Sequence, residues 1–459
     1  MKKILVFLTC CLFSISYRAH AQQQLAYSFG ETPQTLMLNP GAETNFKYHY
    51  GVPVFSNFSF NAGMKGFDLS DLFLKDNRSF DLKFQELLSR VNETDYFNFN
   101  LRTDILNGGY RYDNKTYLSF GFYEELDFIF YIPKDIVELG YYGNDRFLNR
   151  SFSVNQLVFK GDVLGVLHAG ISRKVSNKLN LGARIKIYSS SLNIESNHNS
   201  GTFSTTENSA NILRHSINNL YGEVRTSGLI NSNDDFLEDP NSLLSRTFLG
   251  GNLGLGFDFG ITYHLSSQLE FTASILDLGF VRHSKDVRTY TAEGDYTLDG
   301  INFEFDPDNP RDYWQELEDE FDASIITSEF QDAYTSWRPS RINASIKYSF
   351  GKLRSKLCYA STHKEYYFTS IGMMMNTIMR PRGPQLALTS FLDTSLSERF
   401  HTRLTYTIND FSGMILGGGI TFQLGNVNIF GVMDNIIGMR DVLKANNISF
   451  NFGVNVIIN

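Results

Sequence analysis

Residues 252–265 read NLGLGFDFGITYHL. Successive side chains of a strand point to opposite faces, so a strand sorts its residues by odd and even position. Leu253, Leu255, Phe257, Phe259, Ile261, Tyr263 and Leu265 share one face. Asn252, Gly254, Gly256, Asp258, Gly260, Thr262 and His264 share the other. Strands of globular proteins are usually about 5–6 residues long. An unbroken alternation from 252 to 265 suits a tilted strand that crosses a bilayer and continues past it, with the apolar face toward lipid.

The same pattern returns elsewhere. At 341–350, Ile342, Ala344, Ile346, Tyr348 and Phe350 oppose Arg341, Asn343, Ser345, Lys347 and Ser349. At 399–408, Phe400, Leu404, Tyr406 and Ile408 oppose His401, Arg403, Thr405 and Thr407. It recurs at 179–189 and 416–424. In the last stretch, Ile448, Phe450, Phe452, Val454, Val456 and Ile458 alternate with Ser449, Asn451, Gly453 and Asn455, and Ile457 is the exception. Short polar turns precede Thr116, Leu179, Leu269 and Val427, as expected of antiparallel hairpins. Weaker candidate strands lie near 52–62, 99–112, 116–128, 152–160, 165–174, 269–276, 356–362, 366–375, 384–391 and 427–433. Together they suggest about 16 strands, with the parity around Gly351–Arg354 unsettled.

The ends agree with this reading. Lys2 and Lys3, the apolar run 4–16 and Ala19-His20-Ala21 form the three parts of a secretory signal peptide, residues 1–21. The run is too short for a membrane helix, which needs about 20 apolar residues. The final strand resembles the C-terminal signal read by bacterial barrel-assembly machinery, a partner expected during biogenesis, although it ends on Asn459 rather than an aromatic.

The chain has 459 residues, with 41 Lys+Arg against 49 Asp+Glu. Removing Lys2, Lys3 and Arg18 with the leader leaves an excess of about eleven acidic residues, which argues against nucleic acid as a partner. Cys358 is the one cysteine outside the leader, so no intramolecular disulfide is expected. No later segment is long and apolar enough for a membrane helix, yet there are 40 Phe and 24 Tyr. Modest hydropathy, alternating strands and many aromatics are the signature of a membrane barrel.

Three segments interrupt the pattern. Residues 79–91 have helical spacing and suggest a short helix that plugs or caps the barrel. Residues 202–247 and 282–339 read as long loops, and within the second, 312–321 suggests an amphipathic helix with Trp314, Leu317 and Phe321 on one face.

Chemistry is sparse. The acidic run from Asp306 to Asp322 suits either a divalent-cation site or, as such runs usually do, a solvated loop. His168, His264 and His401 fall on inward faces without metal-ligand spacing. No G-x-S-x-G occurs, and neither catalytic residues nor a cofactor or metal site is expected. The lumen-facing polar candidates are Arg184, Lys186, Asp258, His264, Arg341, Lys347, His401 and Arg403, with Glu125 and Asp127 on the same phasing. Charges inside a barrel pair structurally, line a water channel or attract an anionic ligand. Gly417-Gly418-Gly419 suggests a bend or bulge in the wall. Asp277-Leu278-Gly279 and Asp434-Asn435-Ile436 read as turns at the barrel rim.

Leu38-Asn39-Pro40-Gly41, those two Asp-containing strand ends and the strand Leu179–Lys186 resemble an uncharacterised family of Bacteroidota outer-membrane barrels. That family is similar to the PorP/SprF group of type IX secretion and gliding, and more remotely to FadL-type transporters of hydrophobic solutes. Pro40-Gly41 departs from the Pro-Ala of the family signature. The resemblance implies a barrel and carries over no substrate-binding residue.

The expectation is therefore an all-β, antiparallel transmembrane barrel of about 14 strands, with 16 as the alternative, monomeric and surrounded by outer-membrane lipid in a Gram-negative bacterium. Three functions compete. A FadL-like conduit for a hydrophobic or amphipathic small molecule predicts an apolar lumen pocket, and a solidly packed charged lumen would count against it. An accessory of type IX secretion, gliding or surface assembly predicts an envelope protein partner held through the loops. A hydrolase predicts ester cleavage, which the motifs do not support.

Overall fold

The computed structural model describes residues 26–29, 32–207, 213–230, 240–300, 312–353, 366–397, 399–409 and 415–458. Fourteen strands close into an antiparallel barrel. Strand β1 is in two pieces, Tyr48–Gly51 and Phe58–Met64, followed by β2 (Tyr96–Arg111), β3 (Thr116–Tyr131), β4 (Val158–Lys174) and β5 (Leu179–Ser196). Then come β6 (Asn252–His264), β7 (Leu269–His283) and β8, again in two pieces, Tyr334–Trp337 and Arg341–Leu353. The wall is completed by β9 (Tyr366–Arg380), β10 (Gly383–Ser397), β11 (Phe400–Ile408), β12 (Ile415–Leu424), β13 (Val427–Asp434) and β14 (Asn447–Ile458). The ring closes where β14 pairs with both pieces of β1, Tyr48 opposite Ile458 and Phe58 opposite Phe452. Closure leaves the wall without an unpaired edge, which a membrane requires.

The sixteen sequence candidates become fourteen for concrete reasons. The stretches near 152–160 and 165–174 are mostly one strand, β4. Lys160 and Asp162 break the hydropathy there because they belong to the inner face of the wall. The candidate at 356–362 lies outside the described residues, as do the signal peptide, Cys358, Asp306 and Asp308.

Alternation survives throughout. In β6 the even positions are covered and Leu253, Leu255, Phe257 and Phe259 are exposed on the outside. In β14 Ser449, Asn451 and Asn455 face inward, and so does Ile457, which packs with Leu36, Phe46 and Tyr117. Outside, aromatic rings stack between strands, Phe60 on Phe450 at 5.3 Å and Phe58 on Phe452 at 5.4 Å. No described helix is long and apolar enough to cross a membrane.

Short turns gather at one end of the barrel, at 112–115, 175–178, 265–268 and 425–426, and most of the longer connections at the other, where the two-residue turn 381–382 is the exception. Bacterial barrels place short turns in the periplasm and long loops outside. The segments expected as loops, 202–247 and 282–339, carry strands: Ser200–Glu207, Leu213–Ser227, Val287–Leu298 and Ile325–Phe330 form a second sheet on the long-loop side. It grows directly from the wall, since Asn193–Glu195 of β5 pair with Arg225–Ser227. Polar side chains on both faces of that sheet hide the period that marks the barrel strands. Helix α1 (Phe80–Arg90) begins at Ser79, whose side chain accepts from the Leu82 N–H, and lies in the connection 65–95. Helix α2 (Lys134–Tyr142) follows β3. Helix α3 (Tyr313–Ser324) is capped by Asp312, which accepts from the Trp314 and Gln315 N–H groups. Phe321 of α3 packs edge-on against Tyr296, whereas Trp314 is exposed.

Candidate functional site

The lumen is filled from the N-terminal side. Residues 26–29 and 32–46, not the helix at 80–90, enter the barrel and plug the half nearer the short turns. One helical turn, Thr35–Leu38, is followed by Asn39-Pro40-Gly41. Asn39 turns the chain through its own side chain, Oδ1 accepting from the Gly41 N–H at 2.9 Å, and its Nδ2 donates to the Ile261 carbonyl at 3.2 Å.

This turn lies directly on the wall, and two wall glycines make that contact fit. A Cβ at Gly182 would stand 2.0 Å from the Pro40 carbonyl, and one at Gly260 would stand 2.0 Å from Asn39 Oδ1. A side chain at either position would push the turn off the wall. The sequence signature Leu38–Gly41 is thus half of a lock whose other half is Gly182 and Gly260.

Wall side chains hold the plug's carbonyls around much of the circumference. Asn180 of β5 donates to Gly41 O at 2.9 Å, Ser274 of β7 to Leu38 O at 2.7 Å, and Ser172 of β4 to Ala42 O at 3.0 Å. Arg184 of β5 donates to Leu36 O and to Met37 O. Gln34 and Asn455 of β14 exchange a reciprocal pair at 3.0 and 3.1 Å. Arg403 of β11 donates to Tyr27 O at 2.7 Å and lies over the rings of Phe29 and Phe391 while pairing with Asp393. The backbone bonds satisfy carbonyls that the wall covers wholly or in part.

Beyond the plug, on the β2–β8 side and joined by Arg380 from the end of β9, the lumen is a lattice of ions. Asp258 meets Arg184 at 3.1 Å and Lys186 at 2.9 Å, and Lys186 also meets Asp277 at 2.7 Å. Arg338 bridges Glu125 and Asp162, Arg341 holds Glu125, and Arg380 holds Asp127. Arg102 pairs with Asp104 and lies 3.6 Å from the Tyr123 ring centre. Counted over these pairs, six cations meet six carboxylates, so the lattice neutralises itself. Buried ions are tolerated only when paired in this way.

The opposite wall, β9–β13, is different. Met374, Ile378, Ala387, Phe391, Ile415, Phe430 and Val432 face inward and are buried, interspersed with threonines such as Thr389 and Thr405 and with the polar Asn376, Gln385, Asn428 and Asp434. Ala26, Tyr27 and Phe29 of the plug pack on Met374, Phe391 and Val432. The glycines 417–419 do not mark a bulge, because pairing to β11 runs through all three, and pairing to β13 through Gly418 and Gly419, without a shift. They make room: a Cβ at Gly419 would lie 3.1 Å from the Phe29 ring.

The sequence-predicted residues divide among these regions. Arg184, Lys186, Asp258 and Arg341 join the lattice. His264 and Lys347 share Glu270 near the short turns, and His264 also reaches Glu43 of the plug at 3.1 Å. Arg403 clasps the plug, and His401 bonds Ser395 at 2.7 Å. The histidines do not converge, and His168 lies elsewhere, beside Tyr123. Among the described residues no group of three His, Cys, Asp or Glu side chains is placed to hold a metal ion.

Asp277 corrects the reading of 277–279 as a rim turn. It sits mid-wall in a β-bulge at positive φ (58°), donates its N–H to Asp258 at 2.7 Å, and turns its carboxylate into the lattice. Arg102 and Asp104 escaped the sequence reading although Asn98, Asn100, Arg102 and Asp104 fall on one strand face. Arg338 could not be found that way, because it precedes Pro339 at the break in β8.

Three similar solved structures are each distant in sequence. The Ralstonia pickettii toluene transporter TbuX is 11% identical, with 97% of this chain and 100% of that chain covered and a TM-score of 0.42. A Pseudomonas aeruginosa FadL homologue is 9% identical, with 95% of each covered and a TM-score of 0.41. The translocator domain of the autotransporter NalP from Neisseria meningitidis is 7% identical, with 92% of each covered and a TM-score of 0.33. At these values the likenesses carry no argument about cargo, and the fold rests on the strands themselves. No curated protein matches the sequence. Residues 40–434, from the Pro40 turn to the end of β13, match one family model, and the chain belongs to that family, DUF5723, a family of unknown function.

Proposed function

We propose that the protein is an integral outer-membrane barrel of a Gram-negative bacterium, exported through its leader, and that it serves as a plugged conduit for a small hydrophobic or amphipathic molecule. The observation that carries this reading is the apolar patch of Met374, Phe391 and Val432 on the inner face of β9–β13, covered by Ala26, Tyr27 and Phe29. Barrel lumens are ordinarily polar. An inward apolar wall needs a cover, and here the cover is a segment held by hydrogen bonds and packing rather than by a strand pairing. Displacing that segment would open an apolar track beside a rigid, self-neutralised lattice. The lattice fills its own half of the lumen, so the track is confined to the other.

Liposome uptake of a small fluorescent hydrocarbon tests this. Wild-type protein is expected to pass it slowly. Gly182→Leu, which denies the Asn39-Pro40-Gly41 turn its seat, is expected to pass it several-fold faster while the barrel still migrates as a folded species on a cold gel. Equal, background-level uptake in both proteins would overturn the conduit reading.

A second reading has one observation in its favour. The sheet built from Ser200–Glu207, Leu213–Ser227, Val287–Leu298 and Ile325–Phe330 stands on the long-loop side and is a natural platform for an envelope protein partner. Deleting it should abolish partner recovery from native membranes without changing uptake, if the barrel is instead an accessory of secretion, gliding or surface assembly.

A further inference from the structure

The outer face of the barrel carries a groove of about 610 Å³ across β4–β7. Volumes of about 300–1,000 Å³ hold one small organic molecule. The groove is walled by the outward side chains Ile171, Leu181, Phe259 and Ile275, and its floor is low because Ala183 and Ala273 replace larger residues there. Arg173 stands at its periplasmic end, exposed, two residues before the β4–β5 turn. Asp113, in the neighbouring turn, is the carboxylate whose field reaches it.

Behind the floor lies the plug. Gly182 and Gly260 line the groove on the outside and touch Pro40 and Asn39 on the inside. The wall between lipid and plug is therefore one backbone thick at the Asn39-Pro40-Gly41 turn.

Resting on the reading of this barrel as membrane-spanning, we propose that the groove is a specific site for a glycerophospholipid of the periplasmic leaflet, with one acyl chain in the groove and the phosphate on Arg173. Three observations select this occupant. The groove opens from the lipid-facing belt, so hydrocarbon is what surrounds it. Its lining is almost wholly apolar apart from one end. The single cation stands at that end, at the level of the short turns, where phosphates of that leaflet lie and where basic side chains extend toward the interface. A chain seated there would brace, from outside, the two glycines on which the plug rests.

Native mass spectrometry of the purified full chain tests the proposal, using dipalmitoylphosphatidylglycerol and, as the phosphate-free control, dipalmitoylglycerol. Wild-type protein is expected to hold one phosphatidylglycerol at concentrations well below those giving further adducts. Ala273→Phe, an apolar change on the outer face, should weaken that first adduct about tenfold or more, as expected when the side chain displaces roughly two methylene groups. Arg173→Gln should bind both lipids alike. A first adduct unchanged in Ala273→Phe, or a wild-type protein indifferent to the phosphate, would overturn the site. Flotation of every variant with vesicles separates this from failure of the membrane reading, which would abolish flotation in wild type as well.

Discussion

The two halves of the lumen are built on one backbone pattern and use it in opposite ways. Along β2–β8, alternation delivers charges inward, and they pair with one another: Asp258 with Arg184 and Lys186, Glu125 with Arg338 and Arg341. Along β9–β13 the same alternation delivers Met374, Phe391 and Val432, an apolar patch that is covered by Tyr27 and Phe29. The charges of the first half are complete without the plug, which adds carbonyl contacts, the Glu43–His264 contact and Met37 packed on Tyr123, Leu164 and Tyr188. The second is complete only with it. Under the proposed function, the side that the plug covers is the side that opens.

Perturbing each half separately should break the comparison in different ways. The largest effect is expected for Asp258→Ala, which leaves Arg184 and Lys186 short of a shared buried counter-ion; removing one partner of a buried pair costs about 3–5 kcal/mol. The urea midpoint of the detergent-solubilised barrel should fall sharply while planar-bilayer conductance stays low. High conductance with little loss of stability would mean that the lattice, not the plug, closes the barrel. Phe29→Ala should do the reverse. It removes a buried ring, worth about 3 kcal/mol or somewhat more in a packed core, but the loss falls on the plug. Protease sensitivity of the N-terminal segment and conductance should both rise, and the midpoint of the barrel should move little. If the segment stays protected, packing on the β9–β13 wall is not what seats it.

A smaller step sharpens the same point. Asn455→Ala removes the reciprocal bonds to Gln34 and leaves that amide buried, a cost of about 1–3 kcal/mol. Partial loosening of the plug is expected, intermediate between wild type and Phe29→Ala in the protease assay. The smallest effect lies outside the lumen. Asp113 accepts from the Lys115 and Thr116 N–H groups, which hold its carboxyl below the usual carboxylate range. A depressed carboxylate contributes stability above its unfolded pKa and loses it as pH falls through the folded one. Refolding yield should therefore dip slightly below about pH 4, and Asp113→Asn should flatten that dip. A dip unchanged in the variant would assign it to other carboxylates.

Much of this architecture is written locally. The alternation in Asn252–His264 and Asn447–Ile458 determined that the chain forms long strands with one lipid-facing and one inward face, because side-chain direction follows from backbone geometry alone. Short turns such as 112–115 determined the antiparallel order. The inward placement of Arg184, Lys186, Arg341 and Arg403 followed from the same period. Closure decided the rest. Asp277 reaches the lattice only through a bulge that shifts the period, and Arg338 only because β8 is broken beside Pro339. The pairing of Lys186 with Asp277, 91 positions apart, or of Arg380 with Asp127, 253 apart, depends on curvature that no local window contains. Likewise Leu38–Gly41 is legible as a signature, but its meaning is not. Only the folded barrel brings Gly182 and Gly260 beneath it, because van der Waals contact between segments distant in sequence is decided by how the wall closes.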